Sequence, residues 1–217
     1  MPALNRQFLY EAVATQAGIP QALLDTGQVA AAVEQFVTRA SEYLVGQGDV
    51  LERLGCVVQS RMDERRTGWN QAVETSHANW DTRPWASVLA LGPSGTGKTE
   101  TARLLADGIF DGRLISLHCS EVGPESPHAV AMWTGAPPGY VGHGTGGVLT
   151  NGLRQHRTAV ILFDEIEKAA RGVVDHVLLP LLGEGTVTDR NTGETLWATD
   201  CVVFCTSNLG SEAHAGS

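Results

Sequence analysis

The stretch that most restricts this chain runs Gly92-Pro93-Ser94-Gly95-Thr96-Gly97-Lys98-Thr99, spaced as G-x-x-x-x-G-K-[ST]. Gly92, Gly95 and Gly97 let the backbone turn tightly, with several N–H groups pointing into one concavity that suits an anion. At this spacing Lys98 can reach the β- and γ-phosphates of a nucleotide, and the Thr99 hydroxyl is placed to bind Mg2+. The apolar run Ser87 to Leu91 reads as a buried strand. Thr99 to Ala106 reads as a helix whose N-terminal dipole favours phosphate. Strand, loop and helix are the context this motif demands, so residues 92–99 mark a site for ATP and Mg2+. A nucleophilic role for Ser94 is set aside, because G-x-S-x-G would need glycine at position 96, where Thr96 stands.

Bulk properties narrow the partners. A chain of 217 residues with 42% apolar content can bury a substantial core. Its net charge of −9 argues against a sequence-independent nucleic-acid binder, which would need a basic face. Lysine is scarce: Lys98 and Lys168 are the only two, and one of them lies in the phosphate loop. Met1 to Pro20 contains Arg6 and Glu11 but no apolar run of signal-peptide length, and no stretch approaches a membrane span. Cys56, Cys119, Cys201 and Cys205 form no C-x-x-C pair and read as buried, reduced thiols of a cytoplasmic protein. Neither nucleic acid nor membrane is expected as a partner.

Along the chain, Val29, Val33, Phe36, Val37, Ala40 and Leu44 fall on one face of a helix over 28–44, which Gly46-Gln47-Gly48 stops. A second helix should turn Val50, Leu51, Leu54, Val57 and Val58 inward and finish in a solvated, charged end at Arg61 to Arg66. Residues 67–86 are polar, carry Trp69, Trp80 and Trp85, and read as a loop. Further strands are expected at Leu114 to Cys119, Ala159 to Phe163 and Cys201 to Cys205. Near-continuous apolar strands separated by helices indicate an α/β fold with a parallel sheet covered on both faces. Ile166, Ala170, Val173, Val177, Leu178 and Leu181 mark one more helix face. Pro180 sits inside it and should kink or end the helix, at a cost of up to about 3 kcal/mol. The expected division is an N-terminal helical segment over 1–86, an α/β core over 87–212 and a short tail over 213–217.

Three further features carry chemistry. The third strand runs directly into Asp164-Glu165: Asp164 would hold the Mg2+ shell and Glu165 would polarise an attacking water. Alone, such a pair often only caps a helix; coupled to a phosphate loop it reads as the second half of an ATPase site. Asn208, past the fourth strand, could orient that water or contact the γ-phosphate, or simply make an Asx turn. Gly135-Ala136-Pro137-Pro138-Gly139-Tyr140-Val141-Gly142 would present Tyr140 on an exposed tip, unless its ring anchors to the core.

These segments together resemble the second ATPase ring of Clp-type AAA+ unfoldases and disaggregases. The resemblance rests on GPSGTGKTE, GAPPGYVG, ILFDEIEKA and Thr206-Ser207-Asn208-Leu209-Gly210-Ser211, in that order, and covers about residues 15–212. It implies a P-loop NTPase three-layer sandwich with the four strands in spatial order 1-4-3-2, preceded by N-terminal helices. It also implies that Asn208 is sensor 1, and that Tyr140 and Val141 grip an unfolded polypeptide in the pore of a homo-oligomeric ring. Ala17-Gly18-Ile19-Pro20 and Leu44-Val45-Gly46-Gln47 resemble the two stretches that enclose adenine, which assigns Ile19 and Val45 to the base. Pro180 and Thr186 depart from the family pattern, and the sequence stops at Ser217, before the family's fifth strand, arginine finger and lid. From that stop, slow turnover and an exposed edge at Ser87 to Leu91 are expected. Two readings follow: ATP hydrolysis coupled to polypeptide pulling, or a nucleotide-binding module that does not turn over efficiently alone. A third is a fragment of structural competence only.

Overall fold

A computed structural model describes residues 12, 20, 23, 26–75, 81–121, 128–140 and 142–209. Two long helices lead in, α1 (Thr26–Tyr43) and α2 (Gly48–Thr75). The phosphate-loop strand β1 (Ala86–Leu91) follows, then α3 (Lys98–Ile109) and β2 (Leu114–His118). Short helices α4 (Ala129–Thr134) and α5 (Val148–Gln155) precede β3 (Val160–Asp164). A composite helix then combines α6 (Arg171–Val173), a π turn over Val174–Leu178 and α7 (Leu179–Glu184). The antiparallel hairpin β4 (Thr186–Thr188) and β5 (Thr195–Trp197) leads to β6 (Val202–Ser207).

The main sheet is parallel, in the order β1-β6-β3-β2. This is the expected order, with β6 as the fourth main strand. Alternation along the central strands explains their unbroken apolar sequences. Val160, Leu162, Val202 and Phe204 face one core, shared with Phe36 of α1, Leu51 of α2 and Leu105 of α3. Ile161, Phe163, Val203 and Cys205 face the other, shared with Trp133 of α4, Leu149 of α5 and Val177 of the π turn. The result is the three-layer α/β sandwich.

Four local expectations are corrected. Residues 67–75 are not loop: α2 runs on to Thr75. With no proline between 48 and 75, and helix formers such as Gln71, Ala72 and Glu74, the helix continues past its apolar stripe. The charged stretch therefore lies inside the helix, where Arg61 pairs with Glu64 one turn on. Val50 and Val57 are exposed, and Leu51, Leu54, Val58 and Met62 make the buried stripe instead. Cys56 is also exposed, whereas the other three thiols are buried. Trp85 does stand in the loop, one residue before β1, but it is buried: its ring lies 5.8 Å from Phe110 and its indole N–H donates to Asp200 at 3.2 Å.

Pro180 acts as its chemistry demands. It falls in the first turn of α7, directly after the π turn, so the chain widens where the imino acid can donate no hydrogen bond. The hairpin, α4 and α5 had no periodic signal in the sequence. Among the described residues β1 forms one edge of the sheet, and Ser87, Leu89 and Leu91 are exposed, so the strand expected to be buried is covered on one face only, where Val88 and Ala90 pack against the core. The expected tail, 213–217, lies outside the described residues.

Candidate nucleotide site

The functional side chains converge at the C-terminal ends of β1, β6 and β3, where parallel sheets place their ligands. Register brings them together: Leu91 at the end of β1 lies opposite Ser207, and Phe163 lies opposite Cys205. The loop from Gly92 to Gly97 turns into α3 with positive φ at Gly92, Gly95 and Gly97. Gly97 is the most constrained. Its φ is 87°, and a Cβ there would run into the Leu44 side chain, so the residue just past α1 packs directly on the loop backbone. Pro93 and Thr96 brace the turn, the Thr96 hydroxyl donating to Pro93 O at 2.9 Å. Ser94 is exposed in the same turn.

Lys98 Nζ donates to Gly92 O and Pro93 O, both at 2.7 Å, and to Asn208 Oδ1 at 3.0 Å. Asn208 Nδ2 in turn reaches Glu165 Oε1 at 3.4 Å. Glu165 Oε2 accepts from Lys168 at 2.8 Å, and this carboxylate holds the Lys168 ammonium above its ordinary pKa. The Thr99 hydroxyl donates to Asp164 Oδ1 at 2.8 Å, while Asp164 Oδ2 faces His118 Nδ1 at 3.6 Å. So Lys98, Asn208 and Glu165 form one bonded chain and Thr99 and Asp164 another, set side by side because 98–99 and 164–165 are neighbours in sequence.

The donor set fits a hard divalent cation. Thr99 and Asp164 offer oxygen ligands, and among the described residues Asp164 has no lysine or arginine ion-pair partner that would cancel its charge. Among the described residues no group of three or more His, Cys, Asp or Glu is placed to hold a metal by itself. Phosphate oxygens and water would complete the shell, which is how Mg2+ is usually bound.

Several partners had no signal in the sequence. Glu167 Oε1 accepts the Asn208 backbone N–H at 3.2 Å. Burial would raise the Glu167 pKa, but its own backbone N–H, the Ser207 hydroxyl and the Asn208 N–H hold it below the usual value. Lys168 and His118 flank the acidic pair, and register alone could have placed the latter, since His118 pairs with Asp164. Not every expected residue joins the cluster. Val45 is 89% exposed, beyond the end of α1. Ile19 and Val141 lie outside the described residues. Tyr140 is 67% exposed on its turn, with Gly139 at φ 89° and Gly142 at φ 90°.

That Tyr140 loop is tied to the hairpin. Gly144 N–H donates to Asn191 Oδ1 at 3.0 Å, and Arg190 N–H to Thr134 O at 2.8 Å. Fully buried Asp189 anchors the hairpin turn: it accepts from Arg154 of α5 and from the N–H groups of Asn191 and Thr192. Burial would raise its pKa, but the guanidinium and the two N–H donors hold it below the usual carboxylate value.

A phosphate loop facing an Asp-Glu strand, with Asn208 just past the strand between them, defines a P-loop nucleotide-binding protein of the AAA+ type. Comparison with known families agrees: residues 83–217 match the AAA domain (Cdc48 subfamily), and the chain belongs to that family. Its similar relatives are Clp chaperones, which makes this a Clp-type AAA+ domain. It is 37% identical to the chaperone protein ClpB of Streptomyces albus G over 209 residues, 95% of this chain and 22% of that protein. It is 47% identical to the mitochondrial chaperone protein ClpB3 of Oryza sativa subsp. japonica over 131 residues, 59% of this chain and 13% of that protein. Against the ClpB of Mycobacterium leprae the identity is 48%, again over 131 residues, spanning 15% of the relative. The chain thus spans less than a quarter of the length of these relatives.

Proposed function

We propose that this chain binds Mg·ATP and hydrolyses it as part of a Clp-type unfoldase or disaggregase. The observation that carries the reading is Asn208, bonded at once to the phosphate-loop lysine and to the glutamate after β3. Lys98 supplies positive charge to the phosphates, and the N-terminus of α3 adds its dipole. Thr99 and Asp164 would hold Mg2+, which when bound neutralises and aligns phosphate oxygens. Glu165 accepts the proton of the attacking water, and Asn208 orients that water or the γ-phosphate. Val45 and Ile19 would line the adenine. Tyr140 and Val141 would grip unfolded polypeptide in a homo-oligomeric ring. A cytoplasmic location belongs to the same reading: no helix among the described residues is long and apolar enough to cross a membrane.

A specific observation favours the second reading, a nucleotide-binding module with little turnover of its own. Both Glu165 carboxylate oxygens are engaged, one by Lys168 and one by Asn208, so neither can take a proton from water without giving up a partner. Two variants decide between them. Glu165→Gln should leave nucleotide binding nearly intact and abolish turnover. Lys168→Ala should raise turnover if the ion pair restrains the base. Equal turnover in wild type and Glu165→Gln, with contaminating ATPase removed, contradicts the hydrolytic role of Glu165.

A further inference from the structure

The roles given to Asp164, Glu165 and Asn208 leave Thr206 unassigned, although it lies at the centre of their hydrogen bonding. Thr206 sits in β6, between the phosphate-loop strand and the strand that carries the acidic pair, and it is buried. A hydroxyl has one proton to give and two lone pairs to offer. Here the Thr206 hydroxyl donates to Asp164 Oδ1 and accepts the backbone N–H of Glu165 at 3.0 Å.

Both bonds fall where the site needs restraint. Asp164 Oδ1 is shared by the Thr99 and Thr206 hydroxyls, one from the phosphate loop and one from the central strand, so the carboxylate is held from two sides. Glu165 has φ 58°, in the left-handed region. Among the described non-glycine residues only Asp111 shares that conformation. Side chains disfavour it, and it persists where surrounding bonds fix it. The left-handed residue also opens the 3-10 turn Ile166–Lys168, which brings Lys168 back onto Glu165.

We propose that Thr206 is a positioning residue for the Asp164–Glu165 pair. Its one hydroxyl aims the carboxylate that would hold the divalent cation and locks the left-handed turn that presents Glu165. The proposal rests on the reading of Asp164 as the cation-holding residue, so its test has one arm that needs no nucleotide.

Thr206→Val keeps the shape and removes the hydroxyl, while Thr206→Ser keeps the hydroxyl and removes a methyl. In the nucleotide-free 217-residue chain, amide exchange at Glu165 should rise about fivefold in Thr206→Val and stay at the wild-type rate in Thr206→Ser. ADP affinity measured with Mg2+ should fall about tenfold in Thr206→Val, the usual scale for losing a partner of a metal ligand. ADP affinity in EDTA should stay within about twofold, and Thr206→Ser should match wild type throughout. Unchanged exchange at Glu165, or unchanged Mg2+ dependence, in Thr206→Val overturns the proposal. A serine variant as impaired as the valine variant assigns the effect to lost packing and overturns it too. A wild type that binds no ADP contradicts the nucleotide reading instead, and exchange at Glu165 still decides whether Thr206 holds the turn.

Discussion

Single side chains here divide into those whose spacing announces them and those found only through the fold. Lys98 and Thr99 are announced, because a G-x-x-x-x-G-K-[ST] loop leaves its lysine and hydroxyl little choice of place. Thr206 and Glu167 are not, because their partners are 41 or 42 residues away and no local pattern encodes the contact. The cysteines show the same divide. An apolar neighbourhood suggests burial for all four, yet Cys56 lies on the solvent side of α2. Burial, with the neighbouring Cys205 and the carboxylates of Asp164, Glu167 and Glu165 adding to it, pushes the Cys119 thiol up to about 12. Burial alone pushes Cys205 up to about 11. An aromatic disulfide reagent at pH 8 should therefore titrate one thiol quickly in the native protein and four in denaturant. Fast reaction of two or more native thiols would contradict this packing.

Among the elements, the hairpin and the Tyr140 loop behave as a unit, and Arg154 joins α5 to it. Arg154→Ala should destabilise the fold by about 3 kcal/mol, because it removes the charged partner of a fully buried carboxylate. The pH dependence has a definite sign. Asp189 is held below its unfolded pKa, so its contribution is present above the ordinary aspartate range, about 3.9, and is lost as pH falls through the folded value. The gap between wild type and Arg154→Ala in urea midpoint should be widest near neutrality and narrow on acidification. A gap that widens towards acid would refute the assignment. Tyr140 presents the opposite case. Its exposed ring predicts that Tyr140→Ala shifts stability by no more than about 0.5 kcal/mol, whereas a loss of several kcal/mol in the same urea titration would make the ring core. At this scale the sequence was legible where one period dominates, as in α1 and the four parallel strands. It misled where a helix outlasts its apolar stripe, as α2 does beyond Met62, and it was silent on α4, α5 and the hairpin. Those short elements are fixed by tertiary bonds such as Arg190 to Thr134 and Gly144 to Asn191 rather than by their own pattern.

At the scale of the whole molecule, two cores clamp a four-stranded parallel sheet, and the strand order gathers the site at one end of it. β1 carries the phosphate loop and, among the described residues, forms one edge of that sheet, with Leu89 and Leu91 exposed. If this end of the sheet holds Mg·ATP, with Lys98 as its main phosphate cation, thermal unfolding with and without nucleotide will register it. Mg·ATP at 100 times its dissociation constant should stabilise the wild-type chain by about 2.7 kcal/mol, and Lys98→Ala should abolish most of that gain. Melting of the wild-type chain that is unmoved by saturating Mg·ATP, or a shift of equal size in Lys98→Ala, would contradict it.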